Sequence, residues 1–203
     1  MVFSHRIKLQ KIELFKVKVK MNKSGGANTN KNGLQYEKET NITEYKVISK
    51  NKYSIDIKFN GYEKVFQLVG KNNLFKHMKD KMNEEINKGH GCKNPDECYI
   101  DEESKNIFII EKKFQSTTGS VCEKIQSPHF KIWQYSRTFP DYKIIYIYCL
   151  SKWFRENCKA ELEYLDHMEI KYFFGHKKTY KESLIKFINS FFLLKTKKKI
   201  KNI

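Results

Sequence analysis

Long hydrophobic runs are absent from this chain. Its longest apolar stretches, at 144–150 and 191–194, are far shorter than the roughly 18 residues that a membrane-spanning helix requires. The basic N-terminus also lacks the apolar run of about 7–15 residues that is typical of a signal peptide. We therefore expect an intracellular protein with no membrane partner.

A disulfide framework is also missing from the sequence. The five cysteines are scattered without a regular spacing, and their odd number favours a reducing compartment. His90, Cys92 and Cys98 lie close together, but no second pair of ligands follows at zinc-finger spacing. We expect ordinary core and loop cysteines and no zinc site.

Acidic residues are few compared with basic ones. The 203 residues contain 23 Asp and Glu against 40 Lys and Arg, for a formal net charge of +17. Such an excess favours binding to polyanions, because bound cations are released from the polyanion. Most of the excess is lysine, however, and a lysine-rich surface can also be simply solvated. The charge alone supports nucleic-acid binding only modestly.

The hydrophobic pattern predicts an α/β fold in a single domain, with a mixed central β-sheet flanked by helices and an extra β-hairpin in the N-terminal half. Asn60 and Gly61 separate two β-rich runs and predict a hairpin over 53–69. Leu74, Met78, Met82 and Ile86 recur every four residues and predict a helix over 73–88. Further helices are expected at 33–45, 119–137, 151–165 and 180–194, and further strands at 142–150 and 169–174.

A second hairpin, within 94–113, carries the chemistry. Folding at the turn 102–105 pairs Asp101 with Asn106 and brings Asp96 opposite Glu111, where the Cβ atoms of paired residues lie about 5 Å apart. Lys113 is two residues beyond Glu111 and therefore shares its face. Two facing carboxylates repel each other unless a cation joins them, and carboxylate oxygens suit Mg²⁺.

Asp101 is the competing first acid of this site, because it also precedes Glu111. The same register places Asp101 at the turn, five residues away from the pairing with Glu111, or roughly 17 Å along the strand. That separation is too large for a shared metal ion. The choice of Asp96 depends on the turn, since a slip of one residue would move its side chain to the opposite face.

Pro95-Asp96 followed by Glu111-Lys112-Lys113 resembles the motif of the PD-(D/E)xK nuclease superfamily, the restriction-endonuclease-like phosphodiesterases. The resemblance implies that Asp96 and Glu111 hold a divalent metal ion and that the main-chain carbonyl of Lys112 faces it. It also implies that Lys113 positions or activates the attacking water. Mg²⁺ is the expected cofactor, with Mn²⁺ as a substitute.

The resemblance extends over about 33–149. Residues 33–40 resemble the first helix of the family, which implies that Glu37 adds a further acid through a water or a second ion. Residues 119–126 are similar to type II restriction endonucleases, and Gln115 is implied as a supporting residue. We expect a basic leader at 1–24, a nuclease-like domain at 25–194 and a lysine-rich tail at 195–203.

The segment after the second hairpin offers candidate DNA contacts. Small residues at 116–120 are predicted to open a helix, where free amides can hold phosphate. The proposed nucleic-acid-binding residues are Gln115, Ser120, Lys124, Gln126 and Lys131. The lysines fit an exposed helical face equally well. The aromatic residues at 129–135 could stack on bases, but we expect most of them to be core.

The predicted function is that of a Mg²⁺-dependent DNA endonuclease of restriction type, which is expected to be a homodimer if it cuts both strands of a palindrome. Two alternatives stay open: a DNA-binding protein of the same fold without turnover, and a repair or junction-resolving nuclease. The lysine-rich tail allows phosphate binding or nuclear rather than cytoplasmic localisation, although a frayed, solvated terminus fits it as well.

Overall fold

Seven strands form one mixed β-sheet in the computed structural model, which describes residues 26–83, 85–86, 91–117 and 122–200. The strands are β1 (Tyr45–Lys50), β2 (Ser54–Phe59), β3 (Val65–Val69), β4 (Glu97–Asp101), β5 (Asn106–Lys113), β6 (Lys143–Leu150) and β7 (Lys171–Phe174). The helices are α1 (Gly26–Glu39), α2 (Leu74–Met82), α3 (Pro128–Thr138), α4 (Lys152–Asn157), α5 (Lys159–His167) and α6 (Tyr180–Ile200), with a 3₁₀ helix at Cys122–Ile125.

The strands lie in the sheet in the same order as in the chain. β1 to β5 are antiparallel to their neighbours, whereas β5, β6 and β7 are parallel. Parallel neighbours need long crossover connections, which α3 supplies between β5 and β6, and α4 with α5 between β6 and β7. The expected single α/β domain with a mixed sheet between helices is confirmed.

Helices cover both faces of the sheet. On one face, α2, α3, α4 and α5 pack against a cluster that includes Cys98, Ile100, Ile107 and Ile109. On the other face, α1 and α6 pack against a cluster that includes Tyr99, Phe108 and Ile110. β6 is buried along its length from Ile144 to Leu150, which explains its nearly continuous apolar sequence.

The first strand was not predicted. The expected helix over 33–45 ends at Glu39, and Tyr45 already begins β1, so that prediction is wrong at its C-terminal end. β1 is an edge strand that is exposed along most of its length, with a register shift between Val47 and Ser49. A strand that buries little apolar surface shows no clear alternation of apolar and polar residues, and its sequence gives little signal.

Two cysteines that seemed unrelated form a disulfide. Cys122 and Cys158 are 36 residues apart in sequence and are joined in the structure, while Cys92, Cys98 and Cys149 are free and buried. The expectation of ordinary core and loop cysteines is therefore wrong for this pair. Their spacing in the chain gave no sign of it, because packing of the 3₁₀ helix against the junction of α4 and α5 brings them together.

The later helices also differ from their predicted bounds. The helix expected over 151–165 is divided at Cys158 into α4 and α5, and α6 continues to Ile200 rather than ending at 194. The predicted leader at 1–24 lies outside the described residues. Along the described ranges, no helix combines the length and apolar character needed to cross a membrane.

Candidate metal and nucleic-acid site

The hairpin of β4 and β5 has the register that its turn predicted. Asp101 pairs with Asn106, Ile100 with Ile107, and Glu97 with Ile110. Continued outward by one residue, this register places Asp96, the residue before β4, opposite Glu111. Side chains alternate between the faces of a strand, so Asp96, Glu111 and Lys113 share the face that α2 to α5 cover.

Asp96 is half-buried and is held by the backbone of β5. Its Oδ2 atom accepts a hydrogen bond of 2.8 Å from the main-chain N–H of Lys112. Burial raises the pKa of the Asp96 carboxyl, and the negative charge of Glu111 raises it further, whereas the Lys112 N–H and the ammonium groups of Lys113 and Lys71 oppose the shift. The two carboxylates are therefore close enough to repel each other.

Glu111 is largely buried, and its charge acts on three buried tyrosines. Its side chain is 16% exposed, and its carboxylate pairs with the Lys113 ammonium group, which is 24% exposed. Burial raises the pKa values of Tyr146, Tyr148 and Tyr135, and the charge of Glu111 raises them further. These phenols stay protonated, and the low exposure of the Glu111 side chain strengthens its attraction to a cation.

Glu37 lies at the edge of this group rather than within it. Its carboxylate pairs with Lys71, the same ammonium group that acts on Asp96. Among the described residues, Asp96, Glu111 and Glu37 do not form a set whose ligand atoms all lie within 4.8 Å. Glu37 is therefore linked to the site through Lys71, and its action through a water or a second ion stays a prediction.

The main-chain carbonyl of Lys112 is oriented toward the site. In an extended strand, the N–H and C=O groups of one residue point to the same edge, and the Lys112 N–H points to Asp96. The next carbonyl, that of Lys113, points to the opposite edge and accepts a hydrogen bond of 3.0 Å from the N–H of Ser151. The predicted carbonyl ligand thus faces the β4 side, where Asp96 lies.

The side chain of Lys112 has a structural role that the sequence did not reveal. Its ammonium group is fully buried and lies 2.7 Å from the carboxylate of Glu97. It also donates hydrogen bonds to the carbonyl of Glu37, at 3.1 Å, and to Asn41. This contact joins β4 and β5 to the end of α1, and so sets the position of Glu37 relative to Asp96.

Glu97 completes this buried group. Its Oε1 atom accepts hydrogen bonds from the N–H of Ile42, at 3.1 Å, and from the hydroxyl of Tyr99. Glu97 and Lys112 lie on the face opposite to Asp96 and Glu111. The only sequence signal for them was the alternation itself, which places neighbouring residues of a strand on opposite faces.

A cavity of about 480 Å³ opens beside Asp96. Asn41, Lys71, Asn73 and Glu97 lie along its wall together with Asp96. The cavity gives solvent and ligands a route to the aspartate from the side of β2 and β3. Its lining combines carboxylate, amide and ammonium groups, which suits a charged ligand better than an apolar one.

The predicted nucleic-acid-binding residues are separated by the fold. Gln115 donates its side-chain amide to the carbonyl of Thr117 at 2.7 Å, close to the end of β5. Lys124 and Gln126 are exposed around the 3₁₀ helix, and Gln126 donates to Glu161 at 3.1 Å. Lys131 is partly exposed on α3, and Ser120 lies outside the described residues.

The aromatic residues of α3 are not all core, which corrects the expectation for 129–135. Tyr135 is buried, but Phe130 is 56% exposed and Trp133 is 53% exposed. Their rings stack with centroids 5.8 Å apart, and the Arg137 guanidinium lies 5.6 Å from the Trp133 ring. Phe130, Trp133 and Arg137 therefore lie on one face of α3, and this face points away from the sheet.

No protein-family model, no curated protein and no solved structure matches the chain. The oxygen atoms of the site indicate whether it suits a divalent cation. The two carboxylates lie near each other: burial raises the pKa of Asp96, and the charge of Glu111 raises it further. With the Lys112 carbonyl they form an all-oxygen set of the kind that Mg²⁺ prefers.

Proposed function

We propose that the protein is a Mg²⁺-dependent DNA endonuclease that hydrolyses phosphodiester bonds, similar to the type II restriction enzymes. The observation that carries the proposal is the placement of Asp96, Glu111 and Lys113 on one face of a hairpin whose register was predicted from its turn. A half-buried carboxyl such as Asp96, whose pKa is raised by burial and by the charge of Glu111, is unfavourable for folding and is typical of functional sites. The net charge of +17 supports DNA as the ligand.

The residues have separate roles in this reaction. Asp96, Glu111 and the Lys112 carbonyl would hold the metal ion, which when bound would supply positive charge at the scissile phosphate and lower the pKa of a water. Lys113 donates a hydrogen bond to the attacking water or to the phosphate. Tyr146 and Tyr148 limit access of bulk water to Glu111, and the Lys112 side chain fixes the strand that carries both Glu111 and Lys113.

A binding protein without turnover is the second candidate. One observation favours it: the carboxylates of Glu111 and Glu37 already have ammonium partners, Lys113 and Lys71. Ion pairs of this kind satisfy the acids without a metal. On that reading the basic surface binds DNA, and the paired acids only stabilise the end of the sheet.

Incubation of purified protein with supercoiled plasmid and Mg²⁺ separates the two candidates. We expect nicked and linear products from the wild type, and none from Glu111→Ala or from the wild type with EDTA. Glu103→Ala is the matched control, because Glu103 is an exposed acid at the turn end of the same hairpin, paired with Lys64 at 3.1 Å. Equal absence of cutting by wild type and Glu111→Ala on several DNAs would support the binding protein.

The products also identify the kind of nuclease. Discrete fragments from genomic DNA indicate sequence recognition and a restriction-type enzyme. Cleavage that is confined to branched or single-stranded DNA indicates a repair or junction-resolving nuclease on the same site.

A further inference from the structure

A second charged region lies at the same end of the sheet as the candidate metal site. A cavity of about 380 Å³ is bordered by Gln115 and Ser116, which follow β5, and by Ser151 and Lys152, which follow β6, together with His176 beyond β7. Two carboxylates, Glu39 of α1 and Glu156 of α4, also lie in its lining. The hydroxyl of Ser151 accepts the N–H of Gln115 at 3.1 Å and donates to its carbonyl at 2.9 Å. The segment that leaves Lys113 is thus joined directly to the wall of this cavity.

Basic side chains are concentrated around His176. Burial lowers the pKa of His176, and the positive charges of Lys152, Arg155 and Lys177 lower it further, while Glu156 opposes them. Glu156 is already paired with Lys152 at 3.2 Å. Within the described ranges, no carboxylate lies within ion-pair distance of Arg155 or Lys177, and Lys177 instead lies 5.6 Å from the Phe174 ring.

Cations grouped in this way repel one another, and a bound anion removes the repulsion. Ser116 adds a hydroxyl that suits phosphate oxygens, whereas the hydroxyl hydrogen of Ser151 and one amide hydrogen of Gln115 are already donated within the protein. Arginine in particular matches phosphate with paired donors. The group therefore has the charge and the hydrogen-bonding chemistry of a phosphate-contact surface.

The position of the surface relates it to the candidate metal site. Glu111 is level with Tyr148 in β6 and with Tyr172 in β7. Two strand spacings separate β5 from β7, or about 10 Å, and His176 follows Tyr172 by four residues, or up to about 13 Å along the chain. The surface therefore lies roughly 16 Å from Glu111, which is about five phosphate steps of 3.4 Å along the DNA helix axis.

We propose that Arg155 and Lys177, together with Lys152 and His176, bind backbone phosphates of DNA on one side of the scissile phosphate. The proposal rests on the proposed function, in which DNA is the substrate. It adds the path of the DNA backbone, which crosses the carboxyl ends of β5, β6 and β7. Free phosphate is a second source of the same chemistry, and the experiment below distinguishes it from the DNA backbone.

The salt dependence of DNA binding tests this surface. Binding of a short duplex is measured by fluorescence anisotropy at several salt concentrations without Mg²⁺, so that no cleavage occurs. For Arg155→Ala combined with Lys177→Ala, we expect the slope of log Kobs against log salt to become less steep by about 1.8, which is about 0.9 for each lost phosphate contact. Both residues are exposed, so thermal midpoints should stay at the wild-type value.

Lys46→Ala combined with Lys50→Ala is the matched control, since both lysines are exposed on β1. β1 lies five strands from β6, or about 24 Å. We expect the control to keep the wild-type slope. An unchanged slope in the Arg155 and Lys177 variant, or an equal change in the control, would overturn the proposal. Binding of inorganic phosphate that is lost in the variant while the DNA slope is unchanged would also overturn it, by assigning a free anion to the surface.

Failure of this inference can be told apart from failure of the proposed function. If wild-type protein cuts DNA with Mg²⁺ but the slope is unchanged, only the phosphate-contact surface is wrong. If the slope changes as expected but no DNA is cut, the surface stands and the endonuclease proposal is wrong. In the active enzyme, the double variant is further expected to raise KM while leaving kcat near the wild-type value, because it removes binding remote from the reacting atoms.

Discussion

The main-chain N–H of Lys112 donates a hydrogen bond to Asp96 Oδ2 at 2.8 Å. This bond holds a residue that precedes β4 against the strand that carries Glu111. Asp96 is thereby kept beside Glu111 although their negative charges repel each other. A site whose acids are held in place by the backbone needs little rearrangement to accept a cation.

Asp96→Asn is expected to raise the thermal midpoint of the metal-free protein at pH 7. The pKa of Asp96 is raised above 3.8 by burial and by Glu111, so the ionised form is disfavoured in the folded state. Its contribution to stability therefore falls as the pH rises from the unfolded pKa through the folded pKa. Asparagine removes the charge but can still accept the Lys112 N–H.

The gain from Asp96→Asn should disappear below the unfolded pKa of 3.8, where the wild-type carboxyl is also neutral. Thermal melts at pH 7 and pH 3 measure the difference in midpoint between Asp96→Asn and the wild type. Asp80→Asn, at an exposed position, is the control. Added Mg²⁺ should raise the midpoint of the wild type and not that of Asp96→Asn, because only a ligand that binds the folded state stabilises it. Identical midpoints for both proteins at pH 7 would contradict the electrostatic description of the site.

Lys113→Ala is expected to lower cleavage by about 10²-fold or more, in the range found for a lost proton-transfer or water-positioning group. DNA affinity should stay nearly unchanged, since Lys113 is one cation among many. Plasmid cleavage and anisotropy on the same samples measure the two effects. Lys105→Ala, at the turn end of the hairpin where Lys105 pairs with Glu102 at 3.2 Å, serves as control. Lost binding with retained cleavage would refute the role of Lys113.

Lys112→Met is expected to destabilise the protein by about 3–5 kcal/mol, because it leaves the buried Glu97 carboxylate without its cation. Denaturant unfolding measures the change. Combining Lys112→Met with Glu97→Gln should recover part of the loss, since the uncompensated charge is gone. If the double variant is less stable than the sum of the single variants predicts, the contact between Lys112 and Glu97 is not the dominant interaction of either residue.

Gly175→Ala is expected to destabilise the protein by about 1–3 kcal/mol through overpacking. A Cβ atom at this position would meet Tyr36 Oη and come within 2.6 Å of Thr40 Cγ2 and 2.9 Å of Cys149 Sγ. Tyr36 and Thr40 belong to α1 and the residue after it, so the substitution should also displace the helix that carries Glu37. Denaturant unfolding and plasmid cleavage measure the two effects.

Gly70→Ala is the control for Gly175→Ala, because nothing lies within 4 Å of a Cβ atom at Gly70. Its stability should stay close to that of the wild type. Equal losses in the two variants would indicate a general effect of replacing glycine rather than a clash with Tyr36 and Thr40.

Local sequence patterns were sufficient to predict strand pairing where the two strands are neighbours in the chain. The turn at 102–105 and the alternation of β5 predicted the pairing of Asp101 with Asn106 and hence the common face of Asp96 and Glu111. The hairpin around Asn60 and Gly61 was predicted for the same reason. β1 was missed because an exposed edge strand buries too little apolar surface to impose a pattern.

Contacts between distant segments could not be read in this way. The disulfide of Cys122 with Cys158 spans 36 residues, and its spacing in the chain resembles no framework. The pairing of Lys112 with Glu97 joins the adjacent strands β5 and β4. It lies on the face of the hairpin that carries Tyr99, Phe108 and Ile110. Whether Trp133 is exposed depends on which side of α3 packs against the sheet. Tyr135 lies on the packed side of the helix, whereas Phe130 and Trp133 lie on the exposed side.

The amino-acid sequence by itself determined the hairpin that brings an aspartate, a glutamate and a lysine to one face, because turn type and strand alternation act over a few residues. Only the tertiary structure decided what surrounds them. Lys71 approaches from the loop after β3, and Glu37 pairs with it from α1. Those positions follow from the packing of helices on both faces of the sheet, which depends on the burial of apolar surface by the whole chain.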